Sequence, residues 1–122
     1  MALEQQIVNV NEYELVDTPE AFTAAISALA RRTEAEGHPG VLAYRFYVSA
    51  DARRASATIV YEDADAWLGH HRIAYTWPEM PALQASVKLQ RLTFLGPFND
   101  ALAEWIRDAG ITVPVDHIEA FA

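Results

Sequence analysis

The side chains with the most chemical character lie in the segment 59–75, IVYEDADAWLGHHRIAY. It reads as a β-branched strand that ends at an acidic residue and turns at once into a helix carrying Trp67, His70, His71 and Tyr75. Histidine is the side chain whose unperturbed pKa lies nearest neutrality, so a pair among aromatics suits a pocket that moves protons. The helical stripe Ala64, Trp67, Leu68, His71, Ala74 and Tyr75 turns His71 inward and sets His70 about 100° round. One histidine, not both, is then expected to face a pocket squarely. The competing reading makes one a hydrogen-bonded core residue and the other a surface residue. Adjacent histidines on a helix point apart, and no His-x-x-x-His spacing is present, so no metal site is expected.

Two further sets could position a ligand. Tyr44, Trp67, Tyr75 and Trp77 offer flat rings with polar tips, suited to orienting a planar phenolic or quinonoid molecule; ordinary core packing is the alternative. Asn9 and Asn11 share a strand face with Tyr13, although Asn is depleted in strands. They read either as ligand-binding amides or as an exposed edge. There is no Gly-rich phosphate loop, no G-x-S-x-G elbow and no paired-carboxylate motif. No cofactor is therefore expected, and any oxygenation would draw on the substrate's own electrons.

Composition narrows the classes. The chain has 122 residues, 52% hydrophobic and 21% charged, which is globular. Its formal charge of −8 opposes nucleic-acid binding. The absence of cysteine excludes thiolate catalysis, disulfides and Cys-ligated metal. The opening MALEQQIVNV lacks the basic and long apolar regions of a signal peptide, and no apolar run reaches the length of a membrane span. A cytoplasmic protein is the expectation.

The elements that must position these residues follow from periodicity. Segment 7–16 reads as a strand, and Thr18 with Pro19 starts a helix with Phe22, Ala25, Ile26 and Leu29 inward. Segment 41–49, VLAYRFYVS, and segment 55–62 pair across a hairpin loop at 50–54. Asp63 or Asp65 caps the second helix, which Pro78 and Pro81 break; a loop or short helix follows at 80–86. Segment 87–95 is a fourth strand, and Asn99 caps a last helix containing Trp105. Segment 111–115 reads as extended.

The order β-α-β-β-α-β is the split βαβ of an α+β, ferredoxin-like domain: a four-stranded antiparallel sheet with helices on one face. Residues 1–122 read as one domain, with 97–122 as a C-terminal appendage containing an extra helix. Strand 41–49 is apolar on both sides, since Val41, Ala43 and Tyr47 oppose Leu42, Tyr44, Phe46 and Val48. A second copy packing on Val41, Ala43 and Tyr47 is the simplest cover, making a homodimer. The Trp105 helix folding over that face is the alternative.

This order, the strand VLAYRFYVS and the junction YEDADAWLGHH resemble the dimeric α/β-barrel superfamily, and within it the antibiotic-biosynthesis-monooxygenase-like domains. The resemblance covers roughly residues 7–96. It aligns Glu62, Ala66 and His70 or His71 with the family's strand-end acid, helical Ala and His, while the usual strand-end Trp is absent. It implies a dimer and a cofactor-independent monooxygenase of small aromatic substrates. His70 or His71 would be the base, and Asn9 or Asn11, Tyr44, Trp67 and Tyr75 would position the substrate. The family register favours His70, the helical period His71. Two other readings stand beside it: haem binding and degradation, or a non-catalytic small-ligand-binding or assembly domain.

Overall fold

Hydrogen-bonding side chains just ahead of apolar-periodic segments start three of the four helices. Thr18 Oγ1 accepts from the Ala21 N–H at 3.1 Å, Asp63 Oδ1 from Ala66 at 2.8 Å and Asn99 Oδ1 from Leu102 at 3.0 Å. Of the two expected caps for the second helix, Asp63 is the one used. In the computed structural model, which describes residues 3–49 and 51–119, the chain runs β1 (Ile7–Leu15), α1 (Pro19–Glu36), β2 (Val41–Ser49), β3 (Arg54–Tyr61), α2 (Ala64–Ala74) and α3 (Glu79–Ser86). It continues through β4 (Val87–Leu95), α4 (Asp100–Asp108) and β5 (Val115–Ile118). Ala50, the first residue of the expected hairpin loop, and residues 120–122 of the expected appendage lie outside the described residues. Among the described residues, no helix is long and apolar enough to cross a membrane.

The class is α+β and ferredoxin-like, with one strand more than expected. The sheet order is β2-β3-β1-β4-β5; the first four strands are antiparallel, and β5 lies parallel to β4. A parallel neighbour requires a crossover, which α4 supplies. The added strand, Val115–Ile118, overlaps the segment expected to be extended, 111–115, only at Val115. Backbone bonds from Leu92 N–H to Pro114 O (3.1 Å) and from Gly96 N–H to Ile118 O (2.8 Å) hold it. Four residues of mixed polarity, VDHI, carry no periodic signal, so pairing rather than propensity makes this strand.

Strand alternation divides β1 cleanly. Ile7, Asn9, Asn11, Tyr13 and Leu15 face the helices, while Val8, Val10, Glu12 and Glu14 face away. The helix-side core is in two pieces. One gathers Leu15, Phe22, Ile26, Trp77, Met80 and Leu83; the other gathers Ile7, Tyr61, Trp67, Phe94, Leu102 and Ile106. A domain of this size usually has one contiguous core. The division marks a cavity.

Two expectations about the far face are revised. The Trp105 helix does not cover it: the Trp105 ring packs edge-on against Trp67, at 5.3 Å between centroids, on the helix side. Nor does Val41 belong to it. A register irregularity between Val41 and Ala43 pairs Val41 with Tyr61 and packs it against the helix-side core. A bulge shifts the alternation by one residue, which strict period-two counting misses. Val8, Val10, Val60, Tyr47, Leu95 and Ile118 are left on the outer face, with Tyr47 52% and Ile118 60% exposed.

The turn between α1 and β2 clamps the start of α2. Gly40 N–H donates to His38 Nδ1 at 2.9 Å, and Glu62 N–H donates to Gly40 O at 2.8 Å. The glycine backbone of each element lies against a side chain of the other here. A Cβ on Gly40 would lie 2.4 Å from Ala66 Cβ, and one on Gly69 would lie 2.6 Å from His38 Cδ2. This contact fixes the rotation of the helix that carries both histidines.

Candidate functional site

The two core pieces border one cavity of about 380 Å³ between the sheet and the helices. Asn9, Asn11, Tyr44, Trp67, His70, His71 and Tyr75 all line it. So do Tyr13, Tyr61 and Trp105. No Asp, Glu, Lys or Arg is among the lining residues. Glu62, the strand-end acid of the resembled family, is exposed and absent from the lining.

Trp67 is the hub. Its indole N–H donates to Asn9 Oδ1 at 3.2 Å, and Asn9 Nδ2 donates to Thr93 O at 3.4 Å. Asn9 is fully buried on the central strand, so it is not an edge residue, and its amide is engaged by α2 and β4. The His71 ring stacks on Trp67, with centroids 3.7 Å apart and planes inclined by 21°. His71 Nδ1 lies 2.8 Å from Trp67 O. A carbonyl can only accept, so the neutral ring carries its proton on Nδ1 and leaves Nε2 as the basic nitrogen.

Both histidines reach the cavity, contrary to the expectation that one would point away. Their rings stand 5.7 Å apart at 87°, each 6.1 Å from Tyr61. The cavity wraps around α2 far enough to take in the 100° between neighbouring positions. The stripe is also displaced from the expected one. Ala66, Trp67, Leu68, His70 and Ala74 are its buried members, His70 is only 8% exposed, and Tyr75 sits at the C-cap, partly exposed at the cavity's edge.

Three buried polar atoms of residues that border this space have no hydrogen-bond partner among the described residues: Asn11 Oδ1, Tyr61 Oη and His70 Nδ1. An unpaired buried polar atom costs about 1–3 kcal/mol, and all three belong to residues that border the cavity. The Asn11 amide also donates from Nδ2 to Tyr13 Oη at 3.0 Å. Tyr44 is spoken for differently, its hydroxyl donating to Glu34 at the surface while its ring stacks on Phe46 at 5.3 Å.

Electrostatics follow from burial. Desolvation lowers the His70 pKa to about 4, with a smaller push from nearby His38. Desolvation lowers His71 to about 3, against a partial rise from its bond to the Trp67 carbonyl and with a further lowering by His70. Both rings are neutral near pH 7. Burial raises the Tyr61 hydroxyl far above its usual range and pushes Tyr13 up to about 12, so both remain protonated donors. Among the described residues, no group of three or more His, Asp or Glu side chains is placed to hold a metal ion.

Tyr61 and Trp105 were not selected from the sequence. Tyr61 was legible in principle, since strand alternation places it with Ile59 and Ala57 on the helix side. Trp105 was not, because its position depends on the direction in which α4 crosses back.

No protein-family model matches the chain, and no curated protein matches it. Solved structures do. MupZ from Pseudomonas fluorescens is similar over 97% of this chain and 94% of its own, at 19% identity and a TM-score of 0.68. That coverage has to run through α4 and β5. SnoaB from Streptomyces nogalater, a cofactor-independent oxygenase, is similar over 78% of this chain and 95% of its own, at 18% identity and a TM-score of 0.61. A candidate antibiotic biosynthesis monooxygenase from Caulobacter crescentus CB15 shares 17% identity over 78% of this chain and 92% of its own, with a TM-score of 0.55. The fold is thus that of the antibiotic-biosynthesis-monooxygenase-like structures, which agrees with the resemblance drawn from the junction motif.

Two outcomes follow from the geometry. Asn9→Ala strands the Trp67 indole N–H in the core and should cost about 1–3 kcal/mol, read as a lowered urea midpoint. The histidines make stability depend on pH. Folding lowers both pKa values from the usual 6.5, so the unfolded chain binds more protons below about pH 6.5. Their contribution is complete above that pH and drains away as pH falls toward 4, by up to about 1.4 kcal/mol per pH unit for each ring. Denaturation at pH 7 and pH 5 should show a smaller difference for the His70→Gln, His71→Gln double variant than for the unsubstituted chain.

Proposed function

We propose that this chain is a cofactor-independent monooxygenase that oxidises a small aromatic phenol or quinol in the cavity beneath α2. The observation that carries this reading is that two neutral imidazoles border one uncharged, aromatic-walled space. His71 Nε2 or His70 Nδ1 takes the phenolic proton, and the phenolate then gives an electron to O₂ directly. The imidazolium so formed is stabilised by the phenolate beside it, in surroundings that hold no other charge. Tyr61, a protonated donor 6.1 Å from both rings by centroid, is placed to hydrogen-bond a developing oxyanion. Trp67 and Tyr75 bracket the ring, with Asn11 and Tyr44 at the wall, while Asn9 acts through Trp67.

The balance closes without an added reductant. A phenol and O₂ give a quinone and water. One oxygen atom becomes the second carbonyl, and the other leaves with the ring hydrogen and the hydroxyl hydrogen. The same cavity argues against haem, whose two carboxylates call for cations that the lining lacks. SnoaB, a cofactor-independent oxygenase, supports the reaction class by analogy of fold.

We also propose that the working form is a homodimer packed through the outer sheet face. Val8, Val10, Val60, Tyr47 and Leu95 form an apolar surface there that no helix covers among the described residues. Arg45 stands on the same face without an ion pair among the described residues, where a carboxylate across a two-fold axis would meet it. A stable interface takes about 800 Å² from each subunit, within reach of such a face.

Oxygen uptake with simple hydroquinones tests the chemistry. His71→Ala or His70→Ala should lower turnover by about 10²–10⁴-fold, the usual worth of a general base. Full activity in the double variant would end the proposal, and absence of oxygen uptake with every bound phenol would favour a ligand-binding protein. Light scattering at micromolar concentration should give twice the chain mass, and Tyr47→Glu should shift it toward the monomer. A monomer mass without substitution would rule the dimer out.

A further inference from the structure

The β-α-β-β-α-β core ends with β4 at Leu95, yet three residues of the cavity wall come from beyond it: Trp105 on α4, Ala109 at its C-cap and Ile111. Helix α4 is seated by Leu102 and Ile106, its buried side chains. Trp105 stands about 100° round from Ile106 and is half-buried, with its ring against α2. Trp67, His71 and Tyr75 recur every four residues and line one side of α2. The Trp105 ring crosses all three. Its centroid lies 5.3 Å from Trp67, 5.4 Å from His71 and 5.0 Å from Tyr75, with planes inclined by 89°, 70° and 83°. Trp105 therefore bounds the cavity beside the His71 imidazole.

Exposure marks where the cavity opens. Of its lining residues, Tyr75, Gln84 and Ala109 are exposed, and the others are buried or half-buried. Two of these three adjoin Trp105. Tyr75 packs on its ring, and Ala109 lies one turn further along α4, its N–H donating to Trp105 O at 2.9 Å. An opening at this point lies between the C-terminal ends of α2 and α4. A wall made of rings selects by shape: it rejects a broad ligand by overlap, which removal of the ring relieves, whereas a narrow ligand only loses contact with it. The lining holds no charged residue, so a carboxylate or phosphate would be buried without a counter-ion.

We propose that Trp105 is a specificity-determining residue. It sets the width of the cavity beside His71, so the segment beyond the four-stranded core decides which planar, uncharged aromatic molecules reach that imidazole. The proposal rests on the oxygenase reading only for what happens at His71; selection of the ligand needs no turnover.

Equilibrium dialysis under nitrogen tests this without turnover and without tryptophan fluorescence. The probes are phenol and 9-phenanthrol, one ring and three fused rings with the same single hydroxyl. Trp105→Ala should raise the ratio of phenanthrol affinity to phenol affinity by roughly tenfold, and Trp105→Phe by less. Ala109→Trp adds a ring at an exposed helix end, where φ is −75° and any side chain fits the backbone, and it should lower the same ratio. A loosened fold would weaken both probes alike and leave the ratio where it was. An unchanged ratio in Trp105→Ala would overturn the proposal; should that variant not fold, an unchanged ratio in both Trp105→Phe and Ala109→Trp would do so. So would a ratio that responds to Gln84→Trp and not to Ala109→Trp, or no binding of either probe. The expected shifts without oxygen uptake from any bound phenol would uphold the proposal while the oxygenase reading fell; oxygen uptake with an unmoved ratio would do the reverse.

Discussion

The bond between the Trp67 indole and Asn9 is the constraint on which the rest of the site depends. It joins α2 to the central strand, and Asn9 is in turn tied to β4 through the Thr93 carbonyl. With Trp67 fixed, its carbonyl and its ring together fix His71, by a hydrogen bond to one face of the helix and by stacking at 3.7 Å. Trp105 and Phe94 close on the same ring from α4 and β4. The clamp of Gly40 on Ala66 sets the helix from its other end. A pair of histidines on a short helix would otherwise be free to rotate toward solvent, because their burial is unfavourable to their charged forms.

The cavity is an uncharged space inside a chain of formal charge −8. Acidic side chains remain outside it, where water screens them. Inside, low polarity keeps the imidazoles neutral and the tyrosine hydroxyls protonated, so the walls offer lone pairs and O–H donors at fixed points. Dividing the core in two forgoes packing that a filled core would supply. That loss, and three buried polar atoms without partners among the described residues, are costs the fold carries around the cavity.

Much of this was legible in the residues. The caps Thr18, Asp63 and Asn99, the breaks at Pro78 and Gly96, and the alternation of β1 give the first four strands and the helix order almost to the residue. The candidate side chains converge because they sit on the helix-facing positions of neighbouring elements. What local pattern could not supply was tertiary. The bulge at Val41–Ala43 moves Val41 to the other face, α4 returns to the helix side, and β5 forms from four residues with no strand signal. The stripe of α2 was read one position off at its C-terminal end, because the helix stops at Ala74 and Tyr75 becomes its cap. Asn9 looked like an edge residue because nothing in the sequence says that an indole lies above it.

Two neutral histidines border an uncharged cavity, and the Trp67 carbonyl holds the His71 proton on Nδ1. Nitrogen-15 NMR of the imidazole rings across pH tests it most directly. His70 and His71 should remain neutral down to about pH 5, and His71 should show the tautomer protonated on Nδ1. Titration of both rings near the usual 6.5, or a His71 proton on Nε2, would contradict it.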